Sequence, residues 1–457
     1  MLAPFRGIRY ARDRVSGIAN VTSPPYDVIT DGILDHLRAA DPHNVVRLIL
    51  PGQGADASEA AASLLREWLS AGVLIRDRMP ALYLYEQSHD RQGPGQDGPN
   101  GQGDAASSWL QRGIVALVRL GSPESAAILP HEDVMPSLVA GRQELMEATQ
   151  ANLEPIFLIY DGDAAGDGDT DTATDVIDRV AAERAPLVTI TTEDDVTHRL
   201  WRLSDPREQA AIVADLAGRR ALIADGHHRY AAYLDMQADM RASGRGAGPW
   251  DYGLAFLVDS SAYPPRLGAI HRVLPGLPPE RAAALAKAAF TVQDLPAGLS
   301  LDDAQRLLAT AGQEGTAFLL AGGPGFRLLS HPDPVQVAAS MPAGVSGSWR
   351  SLDASVLQQL LIGRLWGITD SERNVLIDHD AADAVRAVSC APGATAPGGT
   401  AVISNPASFQ DVIEIAALGE RVPRKSTSFG PKPRTGLVLR TFGRATAEPI
   451  DDPRRLG

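Results

Sequence analysis

His227, His228 and Arg229 follow Asp225-Gly226 directly in the stretch ALIADGHHRYAAY, residues 221–233. Two imidazoles and a guanidinium beside one carboxylate are a set of groups that handles anions. The local sequence places them where an anion is readily held. Ala221 to Ala224 is a short apolar run and reads as a buried strand. Asp225 suits a helix N-cap, and Gly226 lets the chain turn tightly and lets a ligand approach the backbone. From His227 to about Ser243 the chain is rich in Ala, Leu, Met and Tyr and reads as a helix. The first turn of a helix gathers unpaired N–H groups and the positive end of the helix dipole, where a phosphate or carboxylate is held. Gly226, His228, Arg229 and Tyr230 are therefore candidate binding residues, with Asp225 and His227 as candidate acid/base groups. The plainer reading is a strand–turn–helix junction with surface histidines.

Three further constellations carry chemistry. Arg421, Arg424, Lys425, Lys432 and Arg434 fall within fourteen residues, with Ser426 and Thr427 among them. Hydroxyls beside lysines, punctuated by Pro423, Gly430 and Pro431, suit a loop that wraps an anion. Lys425, Ser426, Thr427 and Lys432 are its candidate ligands; a solvated turn or a subunit contact is the alternative. Pro24-Pro25 forces an extended backbone and presents Tyr26 and Asp27, a phenol and a carboxylate. His131-Glu132 is an acid/base-capable pair on a loop. Asp378-His379-Asp380 has metal-like residue types, but three adjacent side chains do not face one ion, and it reads as a surface turn. The acidic loop at 161–175 lacks the ligand spacing of a calcium loop. No P-loop, GxSxG, HExxH or helix-opening GxGxxG occurs. No residue is assigned to a metal.

The elements that must position these groups read as mixed α/β. Expected strands lie at 44–50, 81–89, 112–120, 155–162, 221–224 and 251–261, with paired strands between 187 and 205. Expected helices lie at 31–40, 57–72, 138–153, 175–185 and 206–218. Residues 279–331 alternate helix and strand as a smaller α/β subdomain, followed by a helix at 354–366. A strand, a helix and the basic loop close the chain before LVLRTF and a frayed tail from Arg444. The reading divides the chain into a core at 1–275, the subdomain at 276–395, a segment returning to the core at 396–445, and a tail at 446–457. The stretch 88–108, rich in Gly, Gln and Asp, and the stretch 390–400 read as loops.

Composition bounds the function. The chain has 457 residues with a formal net charge of −14, which opposes nucleic acid and anionic membranes at long range. A single cysteine, Cys390, excludes an internal disulfide and a cysteine-built metal site. No apolar leader and no long apolar run appears, so a cytoplasmic location is expected. Oligomeric state is left open.

PPYDVI, HNVVRL, the His-Glu loop, ADGHHRYAA, Ser351-Leu352-Asp353, Asn405-Pro406 and RKSTSFGPKPRTGL, taken in order, resemble the family catalogued as domain of unknown function 1015. The resemblance runs from Phe5 to about Phe442. The family usually has Arg before the His-Glu pair, where this chain has Pro130, and an aromatic residue at Gly430. More distantly, Asp-Gly-His-His-Arg resembles the turn by which the ParB/sulfiredoxin superfamily, including a free-serine kinase, contacts nucleotide phosphates. Sulfiredoxin chemistry needs a cysteine near that turn, and ParB partition needs DNA contacts that the charge opposes.

The resemblance therefore implies phosphoryl transfer, kinase-like or phosphatase, on a small hydroxy acid, with serine or phosphoserine leading. An adenine nucleotide and Mg2+ are the implied cofactors. Asp27 or Asp225 would act as base, with His131 and Glu132 in reserve. The alternative is a regulator that binds a nucleotide or metabolite without turnover.

Overall fold

The computed structural model describes residues 2–52, 54, 56–89, 108–121, 127–163, 171–371, 373–389 and 399–442. Most of the 88–108 and 390–400 stretches, Cys390, the middle of the acidic loop and the tail from Arg444 lie outside the described residues.

The expected mixed α/β architecture is present, built on two sheets. The larger has nine strands: β1 (Leu2–Ala3), β2 (Leu82–His89), β3 (Trp109–Arg119), β4 (Ile128–Leu129), β5 (Ile156–Tyr160), β6 (Val188–Thr191), β7 (Thr197–Leu203), β8 (Ala221–Asp225) and β9 (Tyr252–Asp259). Their order is β4-β8-β5-β9-β3-β2-β7-β6, with β1 alongside β3. β8 pairs parallel with β4 and β9 parallel with β5; the other ladders are antiparallel. Strands β5, β8 and β9 are apolar on both faces, as a sheet covered on both sides requires.

One face packs under helices, where Val176, Ile177, Ile212, Leu216, Tyr230 and Met236 join Ile114, Leu158 and Leu257. The other face, with Tyr83, Tyr85, Phe157, Leu222 and Phe256, is covered by the C-terminal segment through Val412, Phe429 and Val438. The basic loop is thus carried back across the sheet by its apolar neighbours.

The second sheet has six strands: β10 (His271–Leu274), β11 (Thr291–Asp294), β12 (Phe318–Ala321), β13 (Arg327–Ser330), β14 (Leu376–Asp378) and β15 (Thr400–Ser404). It runs β11-β13-β12-β15-β10-β14 and is antiparallel throughout. Its edge strand β14 lies on the side of the site.

Two helices border the site. α1 (Pro136–Thr149) begins with Pro at its first position, and α2 (His227–Ala242) follows β8. Two expectations are corrected here. Residues 44–50 do not form a strand: Asn44 Oδ1 accepts the Val46 N–H at 2.9 Å while its Nδ2 donates to the Asn20 carbonyl at 2.7 Å, and a helical turn at Val46–Ile49 results. That local side-chain bond competes with strand pairing. The helix expected at 354–366 is α-helical only at Asp353–Val356 and continues as a wider π-helical winding at Leu357–Leu365.

Candidate functional site

β8 ends in a bulge. Its register against β5 shifts between Ile223 and Asp225, and a bulge re-aims the strand end that delivers Asp225. Gly226 then takes φ +95°, which makes it, and not Asp225, the N-cap of α2. A Cβ at Gly226 would stand 3.1 Å from the Arg229 guanidinium and from Ile156, so both conformation and space favour glycine. The Asp225 side chain caps nothing. It turns to two cations: Oδ1 lies 2.6 Å from Lys432 Nζ, and Oδ2 accepts from Arg229.

Lys432 reaches a second carboxylate, Asp27 Oδ2, at 2.5 Å. An Asp27–Lys432–Asp225 bridge therefore joins three stretches that the sequence holds some two hundred residues apart. Burial disfavours charge on Asp225, but Lys432 and Arg229 outweigh it and hold its carboxyl well below the ordinary range. Burial opposes the Lys432 ammonium too; Asp225 and Asp27 outweigh it and push its pKa up. Asp225 and Lys432 are therefore both charged in this state.

The bridge lies in a cleft of about 560 Å3. Asp225-Gly226-His227-His228-Arg229 form one side, Tyr26-Asp27-Val28 and Glu132 another, and Lys425, Thr427 and Lys432 the lid-side loop. Leu376 and Ile377 of the β14 edge, with Val375 just before it, give it an apolar wall with Met135 and Leu138. The first N–H groups of α2 have no acceptor within the helix, and among the described residues no side chain caps them.

The basic loop is held from both sheets. Lys425 has φ +53°, and the Ser426 hydroxyl donates to the Pro423 carbonyl. Arg272, on β10, donates to the carbonyls of Arg424 and Lys425 at 3.1 and 2.9 Å. Thr427 donates its hydroxyl proton to Glu132 Oε1 at 2.9 Å, so His131 Nε2, 2.7 Å away, donates to the same hydroxyl. Burial raises the Glu132 carboxyl, and Lys425 and the Thr427 hydroxyl act against that rise. The Val422 N–H donates to the His131 carbonyl at 2.8 Å, and Arg421 to the Pro130 carbonyl at 2.6 Å. An arginine thus reaches the backbone at Pro130, where the family usually carries one in sequence.

Both histidines of the turn accept backbone hydrogen bonds. His227 Nε2 accepts the His131 backbone N–H at 3.3 Å, and His228 Nε2 accepts that of Met135 at 3.1 Å. An imidazole nitrogen that accepts a bond carries no proton. Burial lowers both pKa values, and pushes His131 down to about 3. These rings are neutral and tie the 131–135 loop to α2; they are not phosphate-neutralising cations.

Arg229 is buried at 5 % exposure, bound to Asp225 and the Pro155 carbonyl, with Tyr26 over its guanidinium at 5.7 Å. It anchors the turn as much as it faces the cleft. Tyr230 packs into the helix-side core and is not among the residues that line the cleft. Burial pushes the Tyr26 phenol up to about 12, so it remains a proton donor at neutral pH.

Asp27, Glu132, Asp225, Gly226, His227, His228, Arg229, Lys425, Thr427 and Lys432 thus line one cleft. His131 lies beneath it and Ser426 is buried in the loop turn. Asp353 and Asn405 lie elsewhere. His379, read as part of a surface turn, lines the cleft, while Asp380 caps the helix that follows it. Arg272 and the 375–377 wall carry no local sequence signal, because only the pairing of β14 with β10 brings them to the loop.

Asp225 is poorly placed to hold magnesium. Both Asp225 oxygens are taken by cationic groups, and among the described residues no cluster of three metal-binding side chains occurs. Among them, too, no helix is long and apolar enough to cross a membrane.

The structure is similar to a free serine kinase in complex with AMP (14% identity, TM-score 0.33, 69% of this chain and 87% of that chain). It is also similar to SbnI with a C-terminal truncation from Staphylococcus aureus (11%, 0.31, 69% and 82%) and to a conserved hypothetical protein from Pyrococcus furiosus (12%, 0.31, 69% and 90%). No curated protein matches. The model of the family described as protein of unknown function (DUF1015) matches residues 2–355, and the chain belongs to that family.

Proposed function

We propose that the cleft binds the phosphates of an adenine nucleotide and moves a phosphoryl group to or from the hydroxyl of a small hydroxy acid, with serine and phosphoserine the leading pair. The observation that carries this reading is the Asp27–Lys432–Asp225 bridge at the uncapped start of α2. Phosphoryl transfer needs charge neutralisation and positioning more than covalent chemistry. The N–H groups of α2, Lys425 and Lys432 supply the first. The apolar wall at 375–377 and the neutral histidines supply the second.

In the forward direction the substrate oxygen bonds to the terminal phosphorus as the bond to the leaving phosphate oxygen breaks. Asp27 takes the hydroxyl proton. Lys432, released in part from its carboxylates, follows the charge onto the leaving oxygen. Asp225 holds Lys432 and Arg229 in place. No step is routed through a metal. With phosphoserine as the donor and water in place of the nucleotide as the acceptor, the bond to the serine oxygen breaks as water bonds to phosphorus, and the same site is a phosphatase.

One observation favours a second reading. Lys432 is already matched by two carboxylates, and a regulator that binds an anion by exchanging those partners has no need of a base. Phosphorus NMR of the purified chain with serine or phosphoserine, with and without ADP, ATP and Mg2+, separates the two. Turnover establishes the enzyme, and its nucleotide dependence tells kinase from phosphatase. A folded protein that binds nucleotide and is silent in every mixture is the regulator. Asp27→Asn is expected to abolish turnover and keep binding.

A further inference from the structure

A second cleft, of about 360 Å3, opens beside the first and shares His379, Ser428, Phe429 and Lys432 with it. Its far wall is the end of the β2–β3 pair where β2 finishes and β3 begins, with Gln87 opposite Gln111 and His89 opposite Trp109. Strand alternation puts all four on one face of the sheet, joined there by His198 of β7 opposite Gln87. Gln87, Trp109 and His198 line the cleft.

The hydrogen bonds at this wall are incomplete in a directed way. The Pro431 carbonyl accepts from Gln87 Nε2 at 3.0 Å and can only accept, which fixes the Gln87 amide. Gln87 Nε2 also donates to Gln111 Oε1 at 2.7 Å, which fixes the Gln111 amide in turn. Gln111 Nε2 is left with two hydrogens and no partner, although the residue is only 3 % exposed. His89 Nδ1 is also buried without a partner, and its ring stacks on Trp109 with centroids 6.4 Å apart. Buried polar groups are almost always paired, and here two without a protein partner stand together beside an indole.

An indole face, an amide with spare donors and a cleft of this size match a planar heteroaromatic ring with acceptors on its edge. We propose that the second cleft is a nucleoside subsite, in which a base stacks at Trp109 and accepts a hydrogen bond from Gln111, whose amide lies behind Gln87 and Trp109 and turns out into the cleft to give it. The sugar then points past His379 toward Lys432. The direction of the sugar rests on the phosphate reading of the first cleft; the base site does not.

Calorimetric titration of the full chain with adenosine, guanosine, cytidine and uridine tests the base site, and titration with pyrophosphate tests the phosphate reading. The wild type is expected to bind at least one nucleoside. Gln111→Leu and Trp109→Leu are expected to weaken it by about tenfold or more, equivalent to about 1.4 kcal/mol, and to leave pyrophosphate affinity unchanged. Trp109→Phe keeps a ring and is expected to keep most of the affinity. Thermal melting identifies a variant that fails to fold, in which case Gln111→Asn, which shortens the amide's reach, replaces Gln111→Leu. Binding of pyrophosphate but of no nucleoside overturns the subsite and spares the phosphate reading. A nucleoside bound without pyrophosphate does the reverse. Equal nucleoside affinity in the wild type and both leucine variants also overturns the subsite.

Discussion

Two charged clusters sit on the large sheet, and they differ in what remains for a ligand. On the helix-covered face, Glu86 accepts from Arg112 at 2.5 Å and from Arg199 at 2.6 Å, and Arg112 reaches on to Asp178 at 2.7 Å. The Tyr263 hydroxyl closes the chain by donating to Asp178, also at 2.5 Å. Every member has a protein partner, and neither of the two described clefts reaches Glu86 or Arg112. At the other cluster, Asp27, Lys432 and Asp225 are equally well paired, yet they stand in a 560 Å3 cleft beside an uncapped helix. Ion pairing alone does not mark a site. Pairing next to unspent backbone donors and open volume does.

The comparison is broken most severely by Arg229→Ala. That guanidinium belongs to the cleft by position and to the core by burial. Removing one partner of a buried pair costs about 3–5 kcal/mol. Asp225 keeps Lys432, so the expectation is the lower end of that range, together with loss of the Pro155 carbonyl contact. Chemical denaturation measures it. Unchanged stability with lost ligand binding would show that Arg229 serves the ligand alone.

Lys432→Met and Arg112→Met sharpen the contrast. Arg112→Met is expected to lower stability by about 2–4 kcal/mol, since Glu86 keeps Arg199, and to leave pyrophosphate affinity as it is. Lys432→Met is expected to reduce that affinity by more than about tenfold, or ~1.4 kcal/mol, with a smaller loss of stability. Titration and thermal melting of the two variants decide the matter. Equal effects on affinity would erase the distinction between the clusters.

The sequence made one of these clusters visible and hid the reasons. The β8–Gly226–α2 junction, the Pro24–Asp27 stretch, the His131-Glu132 loop and the basic loop each stand out by residue type, and they meet in one cleft. What residue type cannot show is which way an imidazole bonds. His227 and His228 accept backbone N–H groups from a loop almost a hundred residues away, so their neutrality follows from tertiary structure alone. The same holds for Arg272, which reads as an ordinary strand residue until β10 is laid against the basic loop. The 44–50 turn failed differently, because one Asn side chain outweighed an apolar run that favours a strand.

Acid sharpens the contrast in another way. Burial holds His131 and His198 down to about 3 and His271 to about 4, and holds His227 well below its ordinary value. An unfolded chain protonates these rings near pH 6.5, so below that pH it binds protons that the folded chain refuses. Stability is therefore full above about pH 6.5 and falls as pH drops toward 4, by ~1.4 kcal/mol per pH unit for each such ring. Denaturation midpoints across that range are expected to fall steeply. His227→Gln is expected to make the slope shallower by one proton's worth, whereas Arg112→Met shifts the whole curve.

Thr427→Val has the smallest expected effect and bears most directly on how the basic loop is held. The Thr427 hydroxyl accepts from His131 and donates to Glu132, the only hydrogen bonds from side chain to side chain among the described residues between the His-Glu pair and the 425–427 turn. Valine keeps the volume and removes both bonds, at about 1–1.5 kcal/mol in stability. Glu132 still accepts the Ser426 and Thr427 N–H groups, so the turn is expected to stay folded. Lys425, at the crest of that turn, would then be aimed less sharply. A modest loss of anion affinity, alongside unchanged nucleoside binding, is the result that places the loop over the first cleft and not the second. Loss of both would mean that Phe429 and Lys432, which border the two clefts, move with the turn as one unit.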